Sequence, residues 1–104
     1  MRSRFVCLLE FRINLDLESR FLEYYGPNGV WSRLFRQAPE YVGTLLLKDE
    51  SVAGRYVTVD RWESAEAYQA FRERCGQQYD DIDHLCEEFT LSEENLGSYA
   101  EYNE

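Results

Sequence analysis

Asp60 and Trp62 stand two residues apart at the end of a run rich in strand formers, Tyr56, Val57, Thr58 and Val59. Spacing of two places Asp60 and Trp62 on one face of a pleated strand, together with Tyr56 and Thr58. A carboxylate on a covered face needs a partner or takes a raised pKa. Either property makes Asp60 a candidate general base. The competing role is structural, with Asp60 accepting backbone N–H groups at a nearby loop or helix start. Trp62 likewise divides between a reactive group and a packing plug at a strand end.

Other residue types that do chemistry are sparse. His84 is the single histidine. At 100° per residue it points roughly 160° away from the apolar stripe of its segment, so it belongs on the surface. Cys7, Cys75 and Cys86 are odd in number, and none forms a C-x-x-C pair. Free thiols are expected, and neither a disulfide framework nor a structural metal site. No metal ligand set, Gly-rich phosphate loop, Ser/His/Asp set or paired-carboxylate spacing is present. The stretch Gly26-Pro27-Asn28-Gly29 lacks the pattern of a nucleotide loop and reads as a joint between helices or as a pocket lid.

Periodicity supplies the elements that would position these residues. In residues 5–13, Phe5, Cys7, Leu9, Phe11 and Ile13 share one parity and are all apolar, which makes a strand with one buried face. The other parity reads Val6, Leu8, Glu10 and Arg12, neither free surface nor ordinary core. Asp16 is placed to cap a helix carrying Leu17, Phe21, Leu22, Tyr24 and Tyr25. Pro27 suits the first position of a second helix, whose stripe is Val30, Trp31, Leu34, Phe35 and Ala38. Tyr41–Lys48, with Leu45-Leu46-Leu47 as its buried stretch, and Arg55–Trp62 read as a hairpin. Ser64 is an N-cap for a helix bearing Tyr68, Phe71 and Cys75, which Gly76 breaks. Tyr79, Ile82, Leu85, Cys86 and Phe89 mark a further helix, and residues 93–102 a weak last strand. The order β-α-(α)-β-β-α-(α)-β is that of a ferredoxin-like split β-α-β sandwich: α+β, a four-stranded antiparallel sheet with helices on one face.

The stretch Tyr56-Val57-Thr58-Val59-Asp60-Arg61-Trp62-Glu63-Ser64-Ala65-Glu66-Ala67-Tyr68-Gln69-Ala70-Phe71 resembles the antibiotic biosynthesis monooxygenase family. There a strand runs into a Trp, followed by a capped helix with an aromatic about nine residues on. The resemblance implies a homodimer, two sheets packed through their helix-free faces as a dimeric α+β barrel. That face would carry Val6, Leu8, Glu10 and Arg12 beside Arg55, Val57, Val59 and Arg61, with Glu10 pairing Arg12 or Arg61 across the interface. The resemblance also places a small aromatic ligand between sheet and helices. Tyr56, Thr58, Asp60 and Trp62 face it from one strand and Phe11 and Ile13 from another. Tyr25, Trp31, Phe35, Tyr68 and Phe71 form the helical wall. Asp60 and Trp62 are the catalytic candidates, with Tyr25 or Tyr68 as hydrogen-bond donors.

In the family's polyketide oxidations a deprotonated phenolic substrate supplies the electron to O₂, with neither metal nor flavin cofactor. A cofactor-independent monooxygenase acting on an aromatic or polyketide-like molecule is therefore implied. Haem degradation is not: those relatives use an Asn on the first strand and a His after the Trp, whereas here Phe11 replaces the Asn and residues 64–75 hold no His. The alternatives are a non-catalytic dimer that binds a small ligand, and an isomerase or cyclase of the same fold.

Composition narrows the classes. The 104 residues suit a single domain, residues 1–104, and 15% aromatic content suffices for a core or a core plus a pocket. The net charge of −9 is concentrated: residues 75–104 carry nine acidic residues and no Lys or Arg. Phosphate backbones and acidic membranes would repel such a surface, so no nucleic-acid or membrane partner is expected. The apolar run at the N-terminus breaks at Glu10, too early for a secretory signal, and a cytoplasmic location is expected.

Overall fold

Strand β1 (Arg2–Ile13) is flanked by β3 (Arg55–Trp62) and by β4 (Thr90–Asn103), and β2 (Tyr41–Lys48) pairs with the far edge of β3. All pairings are antiparallel and the order is β2-β3-β1-β4. The structure is a computed structural model and describes residues 2–103. Helices α1 (Glu18–Tyr25), α2 (Val30–Phe35), α3 (Ala65–Arg74) and α4 (Gly76–Cys86) complete the order read from the periodicity. This is the ferredoxin-like α+β architecture. No helix among the described residues is long and apolar enough to cross a membrane.

Register settles which side chains face the helices. Phe5 pairs with Trp62, Cys7 with Asp60, Leu9 with Thr58 and Phe11 with Tyr56. These residues share one face, and Phe11, Ile13, Tyr56 and Trp62 are buried there against Phe21, Phe35 and Phe71. The core is largely aromatic. Phe21 stacks on Tyr25 at 4.5 Å, and Trp62 lies edge-on to Phe35, Tyr41 and Tyr68 at 5.3–5.6 Å. Such contacts add to the large apolar area each ring removes from water. Ser64 caps α3 as expected, its Oγ accepting from Ala67 N at 3.1 Å.

Several local expectations are corrected. Asn14, not Asp16, is the first cap. Its side chain accepts from the Asp16 amide and opens a 3-10 turn (Leu15–Leu17) that leads into α1. Pro27 lies outside α2, which starts at Val30. The reason is a close approach: a Cβ on Gly29 would sit 2.6 Å from the Glu23 carbonyl oxygen. The end of α1 therefore touches the start of α2 through a glycine. Arg36 then ties residues 26–29 down, donating to Pro27 O at 3.1 Å and Asn28 Oδ1 at 2.9 Å, so the joint reading holds. The break expected at Gly76 is present: α3 ends at Arg74 and α4 begins at Gly76. Leu85 is 53% exposed and belongs to no core stripe.

The Leu45-Leu46-Leu47 run is not buried. β2 is an edge strand, and Leu45 and Leu47 pair with Val59 and Val57 on the helix-free side, where they are 51% and 50% exposed. That open face carries a shallow groove lined by Val6, Leu8, Leu45, Val59 and Tyr99. Three of its charged residues are already engaged within the chain: Glu10, Arg55 and Arg61. Glu10 meets Arg55 rather than Arg12 or Arg61, and Arg61 holds Glu101 with two bonds of 2.9 and 2.8 Å. The last strand is longer than its sequence suggested. Gly97, at φ +110°, sits beside a bulge that keeps β4 aligned with β1.

Phe35→Ala should destabilise the fold by about 3–5 kcal/mol, because it removes a buried ring that packs on Trp31, Tyr41, Trp62 and Phe71. Leu85→Ala should stay within about 0.5 kcal/mol. Urea denaturation at one fixed protein concentration measures the two side by side.

Candidate functional site

Asp60 is half-buried between the sheet and the helices, on the face its parity assigns. Its only hydrogen-bond partner among the described residues is Thr44, whose Oγ1 donates to Asp60 Oδ1 at 2.7 Å. Thr44 is opposite Asp60 in the register of β2 and β3. Burial pushes the Asp60 carboxyl up to about 6, and the Thr44 bond only partly opposes that rise. The structural alternative is thereby corrected: no backbone N–H group caps this carboxylate among the described residues.

A bulge makes the Thr44 contact possible. Tyr41 pairs with Trp62, while Gly43 pairs with Arg61, so one residue of β2 is extra between them. Without that insertion Tyr41 and Thr44, three apart, would face opposite sides. With it they share the helix side, and the Tyr41 hydroxyl is hydrogen-bonded to Thr44 Oγ1. Ser32 Oγ lies 3.3 Å beyond the Tyr41 hydroxyl and 3.4 Å from Gly26 O. With Thr44 donating to Asp60, Tyr41 donates to Thr44, and Ser32 can donate to either of its two neighbours. A row of hydroxyls thus supports the carboxylate from behind.

Two adjoining cavities open on Asp60. The inner one is about 30 Å³ and is lined by Phe11, Tyr25, Trp31, Phe35 and Thr58. That is room for little more than a water molecule. Trp31 Nε1 and Thr58 Oγ1 are buried without hydrogen-bond partners, and their residues line this space. Burial, followed by the neighbouring Cys86, drives the Tyr25 phenol far above its ordinary range, so it stays protonated and keeps a hydrogen to donate. The outer cavity is about 240 Å³ and adds Cys7, Tyr68, Arg72 and Ser98. Asp60, Phe35, Tyr79 and Glu93 border both spaces. Burial, then the nearby Asp83, raises the Glu93 carboxyl as well.

The expected site residues therefore separate. Asp60, Phe11, Tyr25, Trp31, Phe35, Thr58 and Tyr68 line the cavities. Trp62, Tyr56 and Phe71 do not, and their expected places are corrected. Trp62 and Phe71 are fully enclosed in the core, where ring packing leaves no path to a ligand. Tyr56 turns its hydroxyl to Glu18, and burial lifts that phenol to about 12. His84 is exposed beside Glu87, as its helical angle required. Sequence reasoning missed Thr44, Arg72, Tyr79 and Glu93. Tyr79 was visible as part of the α4 stripe. Gly43 inside a strand was the available sign of the bulge that brings Thr44 round. No group of three or more His, Cys, Asp or Glu among the described residues is arranged to hold a metal ion.

Fold comparisons align with this arrangement. SnoaB, a cofactor-independent oxygenase from Streptomyces nogalater, superposes with a TM-score of 0.71 at 15% identity, covering 98% of this chain and 96% of its own. A proposed antibiotic biosynthesis monooxygenase from Bordetella bronchiseptica gives 0.69 at 16% identity, covering 99% of each chain. A dimeric ferredoxin-like protein from an uncultured marine organism gives 0.68 at 18%, covering 99% of this chain and 91% of its own. At these identities the likeness is one of fold: the chain has the ferredoxin-like α+β fold, and its neighbours agree with the family resemblance of residues 56–71. No protein-family model matches the chain, and no curated protein matches it in sequence.

Because the Asp60 carboxyl is raised on folding, the native state holds its proton more tightly than the unfolded chain. Stability from this group is full below the unfolded value near 4 and is lost as pH rises through about 6. Asp60→Asn should then gain up to about 3 kcal/mol over wild type at pH 8 and almost nothing at pH 4. Carbon-detected NMR should titrate Asp60 near 6, and Thr44→Val should move the midpoint higher. A midpoint near 4 in wild type would refute the assignment.

Proposed function

We propose that this protein is a homodimeric, cofactor-independent monooxygenase that oxidises an aromatic or polyketide-like small molecule with O₂. The observation that carries the reading is Asp60: a half-buried carboxyl, supported on one oxygen by Thr44, pushed up to about 6 by burial, and opening on a wall of aromatic rings. A general base works best with a pKa near the operating pH. The fold shared with SnoaB supports the reading further.

In this chemistry Asp60 accepts the proton of a phenol or of the enol form of a ketone. The resulting anion passes one electron to O₂, and the radical pair closes to a C–O bond. Cleavage of the O–O bond leaves one oxygen on the ring as a carbonyl. The other leaves as water with two hydrogens from the substrate, one of them returned by Asp60. An anthrone plus O₂ thus gives an anthraquinone plus water, and the substrate provides every electron. The residues' contribution is to bind, to move one proton and to hold the anion in a dry site. Trp31, Thr58 and the protonated Tyr25 line the small inner space, which has room for one oxygen atom of that anion and not for its ring, and we assign them as its donors.

The same base would serve an isomerase or cyclase, which needs no O₂. Oxygen consumption separates the two. Metal-free, chelator-treated protein should take up O₂ with anthrones or hydroquinones, at a rate rising through about pH 6. Asp60→Asn should lose 10²- to 10⁴-fold in kcat, the usual scale for general-base catalysis. Trp62→Phe should keep its rate and lose stability instead, since Trp62 touches no cavity. Turnover that continues without O₂ would sink the oxygenase reading, and full activity in Asp60→Asn would remove the base.

The helix-free face supports the dimer. Its groove is mostly apolar, the two charges lining it, Arg61 and Glu101, pair with each other, and Leu45, Leu47 and Tyr99 stand half-exposed on this face. Sedimentation at micromolar concentration should give twice the 12.4 kDa chain mass. Leu45→Asp should shift the species to monomer, and a monomeric wild type would overturn this assembly.

A further inference from the structure

The outer cavity contains a cation with no ion-pair partner among the described residues. Arg72 reaches it from the last turn of α3, and its guanidinium lies 3.8 Å above the centre of the Tyr79 ring. Its Nη1 donates to the Tyr68 hydroxyl at 3.0 Å. Among the described residues that is its one hydrogen bond, and no carboxylate pairs with it. Nε is buried and unpartnered. A buried donor without an acceptor costs free energy, and an unpaired guanidinium is a ready fork for a planar oxyanion. The surrounding acids do not fill the role: exposed Asp80 acts on the guanidinium through space without forming an ion pair. Asp60 and Glu93 border the same cavity, but neither is within bonding reach of Arg72.

We propose that Arg72 binds a carboxylate borne by an aromatic ligand in the outer cavity. The ring then extends inward along Leu9 and Phe35 toward Asp60, and the anionic end stays away from the two acids. The cavity of about 240 Å³ is slightly under the range of drug-sized sites, roughly 300–1,000 Å³, and so fits a ligand of one or two rings. Arg72 also supplies local attraction against a net charge of −9 that would otherwise repel an organic anion. The inference deepens the reading above, since it assumes that the ligand's reactive end meets Asp60. The carboxylate contact can nevertheless be tested without any reaction.

Calorimetric titration with 2-naphthoate and with 2-naphthylmethanol compares one ring system with and without the anion. Wild type should bind 2-naphthoate at least tenfold more tightly. Arg72→Met, which keeps the apolar stem over Tyr79, should erase the preference. Arg72→Lys, which keeps charge but loses the fork, should retain only part of it. Equal affinity for the two probes, or no binding of either, would overturn the proposal using wild type alone. An undiminished preference in either variant would do the same. If the naphthoate preference holds while no substrate draws O₂, the oxygenase reading fails and the anion site stands. If O₂ uptake depends on Asp60 while the probes bind alike, the anion site fails and the base stands.

Discussion

Strand β3 is paired on both sides, so its backbone is committed and its side chains have only two directions open to them. Arg55, Val57, Val59 and Arg61 take the open face. Tyr56, Thr58, Asp60 and Trp62 take the face beneath the helices. Everything else that matters here follows from that alternation. The hydrophobic effect drives helices carrying Phe21, Phe35 and Phe71 onto the inner face, and in covering it they also cover Asp60. The charge of Asp60 is then opposed by burial, and that opposition creates the chemistry. A slip of one residue would expose Trp62 and release the carboxylate to water.

The two ends of the inner face are used differently. At the Trp62 end the rings interlock, with Trp62 touching Phe35, Tyr41, Tyr68 and Phe71. That end is plain core and gives α3 a fixed seat. Toward the middle of the sheet smaller side chains, Cys7, Ser98 and Thr44, face the helices, and the packing opens into the cavities. A carboxylate positioned where dense packing stops has a rigid support on one side and free space on the other. Tyr41 belongs to both regions: its ring packs on Trp62 while its hydroxyl begins the row that steadies Asp60.

The sequence showed the alternation because a period of two needs no tertiary information. The parity of residues 5–13 and 55–62, the cap at Ser64 and the surface position of His84 could be read for that reason. Edge position could not. Leu45 and Leu47 look like core by type, and only the pairing of β2 with a single neighbour explains their exposure. The cap moved from Asp16 to Asn14 because a 3-10 turn precedes α1, and turn type is decided by where β1 ends against residue 54. The candidate site was half visible. Asp60 stood out by charge against its neighbours, and the aromatic wall by bulk. Thr44 and Arg72 did not, since one depends on a bulge and the other on helix placement.

Trp62 illustrates why a family signature and a functional site need not coincide. It is the most recognisable residue of residues 56–71, and the structure makes it the most enclosed. A large ring at a strand end recurs where a strand must hand over to a helix, because it fills the corner beneath the first turn. Such a residue would persist among proteins of this fold whatever they catalyse. Specific chemistry needs instead a group whose environment is costly to maintain. Here those groups are the half-supported Asp60 carboxyl, the unpaired donors of Trp31 and Thr58, and the Arg72 guanidinium without an ion-pair partner. All four border the same pair of cavities. The buried Nε1 of Trp62 lacks a partner too, inside the packed core, so a single orphaned donor does not mark a site and their grouping does. Their concentration in one place is the physical argument that a ligand completes this site.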